Sequence, residues 1–283
     1  WTPHFSLFGA NSGFNTIEEC FGELASQIFA LETGLSSDPA MNWRLSALDR
    51  FALVSNSDAH SPNNLAREAN VISGELSFMG IRRALQEKNL TTLEFFPEEG
   101  KYHYDGHRNC NVRLEPEETL AYGGKCPVCG KRVTVGVLHR VVELADRPKG
   151  TRPIAARPFE SLVPLRQILS EIHQVGVNTK KVESSYQDLI RSLDSELKIL
   201  REVPTEDLER QGGPLLAESI RRMREGQLEV LSGFDGEYGI VKILTPELRA
   251  QILGLGTLFQ IAEPKPKKKK KQVAKNRLTI TQP

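Results

Sequence analysis

Apolar and polar positions in the first hundred residues fall into blocks that switch between helical and strand periodicity. Asn15 or Thr16 ahead of Glu18 and Glu19 reads as a capping box. An apolar stripe through Cys20, Phe21, Leu24 and Ala25 follows it, so a helix is predicted to open there. Residues 28–31 form a short apolar run closed by the polar turn at 32–39, which predicts a strand. A helix over 41–50 and a second buried strand over 51–54 come next, and that strand stops at Ser55-Asn56-Ser57-Asp58-Ala59-His60-Ser61-Pro62. Pro62 can open a helix running to residue 69, a strand is placed at Val71-Ile72, and residues 77–88 are amphipathic at helical spacing. Strand, turn and helix at this pitch predict parallel βα units. In such units chemistry gathers in the turn after a strand's carboxyl end, where Asp58 and His60 stand.

The pattern changes at residue 101. Residues 101–150 are rich in Gly, Cys, His and basic side chains with only short apolar runs, and a core that small needs a staple. From 158 to about 244 the pattern is helical, with apolar residues at three-to-four spacing over 162–175, 182–200 and 215–225. Gly212-Gly213-Pro214 and residues 232–239 interrupt it as loops. Beyond Ala262 a Pro-Lys run cannot bury a core. The predicted organisation is an α/β part (1–100), a metal-stapled module (101–150), a helical domain (151–262) and a disordered Lys-rich tail (263–283), without internal repeats.

Composition narrows the class. Hydrophobic residues make up 39% of 283 residues, and no run approaches the roughly 20 apolar residues of a membrane-spanning helix, so no membrane partner is expected. The net charge of +1 conceals acidic blocks at 1–100 and 158–262 and basic blocks at 101–157 and 263–283, where a polyanion would be gripped. Four cysteines in a chain of this length do not make a disulfide scaffold; reduced thiols and a cytoplasmic location are expected. The chain opens on Trp1-Thr2-Pro3-His4, without Met or a signal sequence, and reads as part of a longer gene product.

His107-Arg108-Asn109-Cys110 and Cys126-Pro127-Val128-Cys129 each set two soft ligands two residues apart, with fifteen residues between the pairs. Two such knuckles complete a tetrahedron around Zn²⁺ and leave no open position, so the metal would hold structure. Gly130 supplies the turn. His103 is the rival for the fourth place, and His107 is favoured because its spacing mirrors the second pair. A redox dithiol at Cys126 and Cys129 would lack βαβ context and leave Cys110 unused. Cys20 reads as a core cysteine.

Arg108, Arg113, Lys125, Lys131, Arg132, Arg140, Arg147, Lys149 and Arg152 surround the knuckles, as a phosphate-gripping platform or a solvated face. Further candidates for phosphate contact are Thr179-Lys180-Lys181 and Arg221-Arg222-Met223-Arg224, with pairing to Glu183 and Glu225 as the alternative. The lysines at 267–271 would add salt-sensitive affinity for polyanions or act only as a solubility tail. No phosphate-binding loop of the Gly-x-x-x-x-Gly-Lys-Ser/Thr kind occurs, which sets a helicase aside.

Ser57-Asp58-Ala59-His60-Ser61 after a buried strand resembles the last metal-binding motif of the polymerase and histidinol phosphatase (PHP) domain. Lys101-Tyr102-His103-Tyr104-Asp105-Gly106-His107 leading to Cys110, Cys126-Pro127-Val128-Cys129-Gly130-Lys131, and the run from Thr134 to Arg147 resemble the zinc-ribbon insert of the endonuclease Q family. Gly34-Leu35-Ser36-Ser37-Asp38-Pro39, the opening around Trp1 and Ser6, and Gly176 to Val182 fit the same family, so the resemblance runs from residue 1 to about 244.

It implies the C-terminal part of a PHP-type distorted βα barrel, then a small zinc ribbon and an α-helical domain. It also implies a nucleoid-associated DNA repair endonuclease, with damaged DNA and replication or repair proteins as partners. Such an enzyme nicks 5′ to uracil, hypoxanthine or an abasic site, using water activated by two or three divalent metals (Zn²⁺, Mn²⁺ or Mg²⁺), with Asp58 and His60 among the ligands. Lys131, Arg132, Arg140, Lys180 and Lys181 are the expected DNA contacts, and Trp1, His4 and Phe5 would stand near the metals. The family's earlier ligands, including a His-x-His motif, are not among these residues, so this chain alone is expected to be inactive. Two alternatives remain open: a non-catalytic zinc-ribbon DNA-binding module, and a PHP phosphoesterase for a small phosphate ester.

Overall fold

A computed structural model describes residues 1–254 of the chain except Phe5 and Ser12. The tail at 263–283 with its lysine run, residues 255–262 and Phe5 lie outside the described residues.

Helix α1 (Ile17–Phe21) starts where the capping box predicts: Thr16 Oγ1 accepts from Glu19 N at 3.1 Å, and the Glu19 carboxylate accepts from Asn15 N at 2.7 Å. A 3₁₀ segment over Gly22–Gln27 continues it into β1 (Ala30–Glu32). The helix expected over 41–50 is instead one turn, α2 (Pro39–Asn42), and a 3₁₀ turn over Ser46–Leu48. Tertiary bonds cut it short. The Asn42 carboxamide turns back to Asp38 O and Ser37 Oγ, and Arg44 O accepts from Asp146 N and Arg147 N at 3.1 Å each.

Strand β2 (Ala52–Val54) lies parallel to β1, Ala30 opposite Ala52. The helix expected from Pro62 is a single 3₁₀ turn over Pro62–Asn64; Ala69 already belongs to β3 (Ala69–Ile72). After α3 (Phe78–Gln86), capped by Ser77, comes β4 (Leu90–Glu94). The β3–β4 pairing is antiparallel, a departure from the all-parallel expectation.

The next part holds the hairpin β5 (Asp105–His107) and β6 (Val112–Leu114), then α4 (Pro116–Ala121), α5 (Val137–Leu144) and β7 (Phe159–Ser161). β7 pairs parallel with β4, closing a three-stranded sheet that draws on both sides of the hairpin. Helices α6 (Leu165–His173), α7 (Lys180–Ser192), α8 (Glu196–Arg201), α9 (Thr205–Gly212) and α10 (Pro214–Arg224) follow. The predicted helix over 182–200 is two helices, the first ending at Ser192 and the second starting at Glu196 after the Ser195 cap. A second hairpin, β8 (Glu229–Leu231) and β9 (Ile240–Lys242), and α11 (Pro246–Ile252) complete the described chain.

Two cores carry this mixed α/β body. The larger joins Leu93 of β4 to Leu165, Ile168, Val182, Ile199, Leu208, Leu216 and Ile220 of the helices. The smaller gathers Trp1, Phe8, Ile17, Leu48 and Phe51 with Val137 and Val141, so α5 packs into the α/β part. Trp1 stacks on Phe8 at 4.9 Å and donates its indole N–H to Asn42 Oδ1 at 3.0 Å.

Candidate metal centre and nucleic-acid interface

His107 ends β5, and Cys110 ends the 3₁₀ turn Arg108–Cys110. The second knuckle is a tight turn in which Gly130 N donates to Cys126 O at 2.9 Å and Cys126 N to Lys131 O at 2.8 Å; Gly130 takes φ +70°. Ligand atoms of His107, Cys110, Cys126 and Cys129 lie within 4.8 Å of one another, and Cys129 Sγ is 3.4 Å from His107 Nδ1. Burial opposes ionisation of Cys126, yet the backbone N–H groups of Cys129 and Val128 bring its thiol down to about 7. Hydrogen bonding to Cys129, with burial behind it, pushes Cys110 up to about 11. Three crowded sulfurs cannot all be thiolates without a cation, which is the donor chemistry a soft dication satisfies. This cluster could hold a metal such as zinc. His103 stands apart from it: burial, and then Lys149, hold its imidazole down at about 4.

The Asp58–His60 turn leaves β2 through Ser55, which is fully buried. Asn70 of β3 holds that residue like a peptide partner, accepting from Ser55 N at 3.0 Å and donating to Ser55 O at 2.7 Å. Ser55 Oγ lies 3.0 Å from Leu93 O and 3.1 Å from Glu94 Oε2. Arg67 Nε donates to Ser57 O at 2.8 Å. Beyond that clamp, Asp58 adopts φ +44°. The pair stays together, His60 Nδ1 lying 2.9 Å from Asp58 O and 3.9 Å from its carboxylate. Both side chains are exposed, and among the described residues no third His, Cys, Asp or Glu completes a metal-ligating group with them. Asp58 lines a cleft of about 660 Å³ with Thr2, Ser6, Glu32, Lys101, Tyr102 and His103.

The basic candidates divide. Lys131 and Arg132 are exposed beside the second knuckle, and Lys180 and Lys181 are exposed in the first turn of α7, whose dipole adds positive potential. Glu183 pairs with Arg166 instead of these lysines. Arg140 corrects the expectation of a DNA contact: it is buried, and its guanidinium donates to Phe8 O at 3.0 Å, Asn15 Oδ1 at 2.7 Å and Glu143 at 2.9 Å. A buried cation committed to these protein acceptors has nothing to offer a phosphate. Arg224 is spent on Ile199 O, Leu200 O and Val203 O, and Arg147 on Asp49.

The sequence reading missed the Asn70 clamp and the pair His139–Asp105. His139 Nδ1 lies 2.6 Å from a buried Asp105 oxygen that, with the Gly136 N–H on the other oxygen, fixes the start of α5 on β5; the Asp105 bond raises the His139 pKa. Asp105-Gly106-His107 carried no periodicity signal beyond the knuckle itself.

The mixed α/β body is similar to that of two solved structures. The lesion-specific endonuclease PfuEndoQ from Pyrococcus furiosus superposes with a TM-score of 0.76 at 27% identity, over 89% of this chain and 65% of that one. An endonuclease Q in complex with a 27-mer duplex bearing an abasic lesion at the active site superposes with a TM-score of 0.73 at 28% identity, over 87% and 62%. The likeness to endonuclease Q read from the motifs therefore holds in three dimensions.

Residues 164–227 match the model of the MJ0043 C-terminal domain. The uncharacterized protein MJ0043 of Methanocaldococcus jannaschii is 32% identical over 84% of this chain, and the uncharacterized protein YqxK of Bacillus subtilis is 32% identical over 86%. The chain spans 31% and 59% of the length of these two relatives. No described helix is long and apolar enough to cross a membrane.

Proposed function

We propose that this protein is a lesion-directed DNA endonuclease, cleaving the phosphodiester 5′ to a deaminated base or an abasic site. The observation that carries this reading is the likeness, across 87% of the chain, to an endonuclease Q bound to an abasic duplex, combined with a cleft that presents Asp58 beside Lys101. Asp58 and His60 would supply two ligands of a PHP-type divalent-metal site. Such a site, when filled by Zn²⁺, Mn²⁺ or Mg²⁺, supplies a nucleophilic water at neutral pH and charge stabilisation for the departing 3′ oxygen. His60, bonded through Nδ1 to Asp58 O, would present Nε2 outward as its ligand atom.

The four-ligand cluster would hold structural zinc in a ribbon, its closed donor set leaving no place for substrate. Lys131, Arg132, Lys180 and Lys181 would take phosphates and fix the duplex without reading its sequence. The protein would work in the cytoplasm, at the nucleoid. Among the described residues no third ligand joins Asp58 and His60, and a second reading for the chain by itself is a DNA-binding module without catalysis.

A nicking assay with uracil, hypoxanthine and abasic duplexes in Mn²⁺, Mg²⁺ or Zn²⁺, on this chain and on one extended to the length of its relatives, decides between them. Cleavage by the extended chain, lost in Asp58→Asn with DNA binding kept, is expected. Binding without cleavage by either chain would leave the module reading.

A further inference from the structure

Two aromatic rings stand in solvent near the Asp58 cleft: Tyr102, which lines it, is 47% exposed, and Tyr238, against Lys101 of its lining, is 71% exposed. Neither is on a loose tip. The 232–239 loop that carries Tyr238 is clasped by the neighbouring chain: Gly236 N donates to Lys101 O at 3.0 Å, Gly233 N to Glu98 O at 2.7 Å, and Tyr104 N to Gly233 O at 2.9 Å. Phe234 anchors it, buried against Gly106. Asp235, the acidic residue at its turn, faces inward and accepts from Arg108 N at 2.6 Å and Thr134 Oγ1 at 2.5 Å.

The two tyrosines belong to one patch with two cations. Lys101 Nζ lies 4.6 Å from the Tyr238 ring centroid. Arg108 Nη1 and the Tyr102 hydroxyl converge on Gly236, 3.3 Å and 3.6 Å from where a Cβ would stand. Tyr102 and Lys101 also line the Asp58 cleft. Exposed aromatics interleaved with cations are a stacking platform: each ring takes a base face, and the cations take the phosphate attached to it. Intact duplex presents no free base face, whereas a lesion site unstacks cheaply.

We propose that Tyr102 and Tyr238, with Lys101 and Arg108, form a nucleotide-binding platform at the mouth of the Asp58 cleft that takes an unstacked nucleotide of a DNA strand. It rests on the nuclease reading and adds how a damaged strand is held. The site costs little folding energy to alter, since both rings are exposed.

The test measures binding of this chain to a duplex with one uracil–guanine mispair and to the matched intact duplex, across a salt series. Tyr102→Ala and Tyr238→Ala are expected to weaken the lesion duplex about fivefold or more, the low end of what base stacking contributes. Tyr102→Phe and Tyr238→Phe should stay within about twofold, as should all four variants on the intact duplex. Lys101→Gln should lower affinity and reduce the salt slope by about one. Alanine variants that bind the lesion duplex like the parent overturn the platform, as do equal losses on intact DNA or equal losses in the phenylalanine variants. A parent chain that binds neither duplex refutes the DNA reading itself, and the platform with it.

Discussion

Glu94 ends β4 with its carboxyl fully buried: Oε2 accepts from Thr33 Oγ1 at 3.2 Å and Ser55 Oγ at 3.1 Å, while Oε1 has no protein partner. Glu68 lies near it, also buried, with neither carboxyl oxygen partnered by protein. Burial pushes Glu94 up to about 7, and burial with the repulsion of Glu94 pushes Glu68 up to about 8. Below the ordinary value of 4.5 both groups are protonated, folded or unfolded, and neither penalises folding. Between 4.5 and about 8 the unfolded chain releases protons that the folded chain keeps, so stability falls as pH rises and levels off above about 8. For Glu94 alone, the rise from 4.5 to about 7 corresponds to on the order of 3 kcal/mol. Urea unfolding from about pH 5 to about pH 8, followed by tryptophan fluorescence, reads this directly. The parent should lose stability across the window, and Glu94→Gln and Glu68→Gln should each flatten the loss, since an amide does not titrate. His139, raised by Asp105, contributes loss in the same direction, so the comparison with the glutamine variants isolates the buried pair. A glutamine variant that keeps the parent's slope, or a parent whose stability climbs between about pH 5 and about pH 8, would refute the reasoning.

Cys126→Ser with Cys129→Ser should abolish stoichiometric zinc and melt the β5–β6 hairpin, measured by metal content and by amide exchange at His107 and Val112; retained zinc would remove the cluster as its site. Gly106→Ala should destabilise by about 1–3 kcal/mol in chemical unfolding, because a Cβ there would stand 2.4 Å from Phe234 Cδ2 and 2.5 Å from Val112 O, and the latter is backbone. Arg140→Met should cost about 1–3 kcal/mol, through the acceptors left at Phe8 and Asn15, while leaving the salt dependence of DNA binding unchanged; a smaller salt slope would return Arg140 to the interface.

Local signals were sufficient where neighbours in sequence make the bonds. The Thr16 capping box, the apolar run of β2, the Ser77 cap of α3 and the four soft ligands are legible because the groups that satisfy one another lie within a few residues, or within knuckles whose spacing sets the geometry. The helix over 41–50 failed because Asp146 and Arg147, a hundred residues away, take the carbonyl of Arg44. The helix after Pro62 failed because Asn70 and Arg67 turn back onto Ser55 and Ser57. Charge was readable and its use was not. Arg140 and Lys131 look alike in a basic block, yet one is sealed in the core by Phe8 and Asn15 and the other meets water. The approach of Tyr102 to Gly236, of Lys101 to Tyr238, and of Glu68 to Glu94 depends on strand pairing and hairpin docking across long separations. Sequence alone therefore determined the locally capped elements, the metal-binding spacing and the family likeness, all products of short-range chemistry. The tertiary structure decided which cations, carboxyls and rings are spent inside and which remain free to act, because burial is set by contacts that no local pattern encodes.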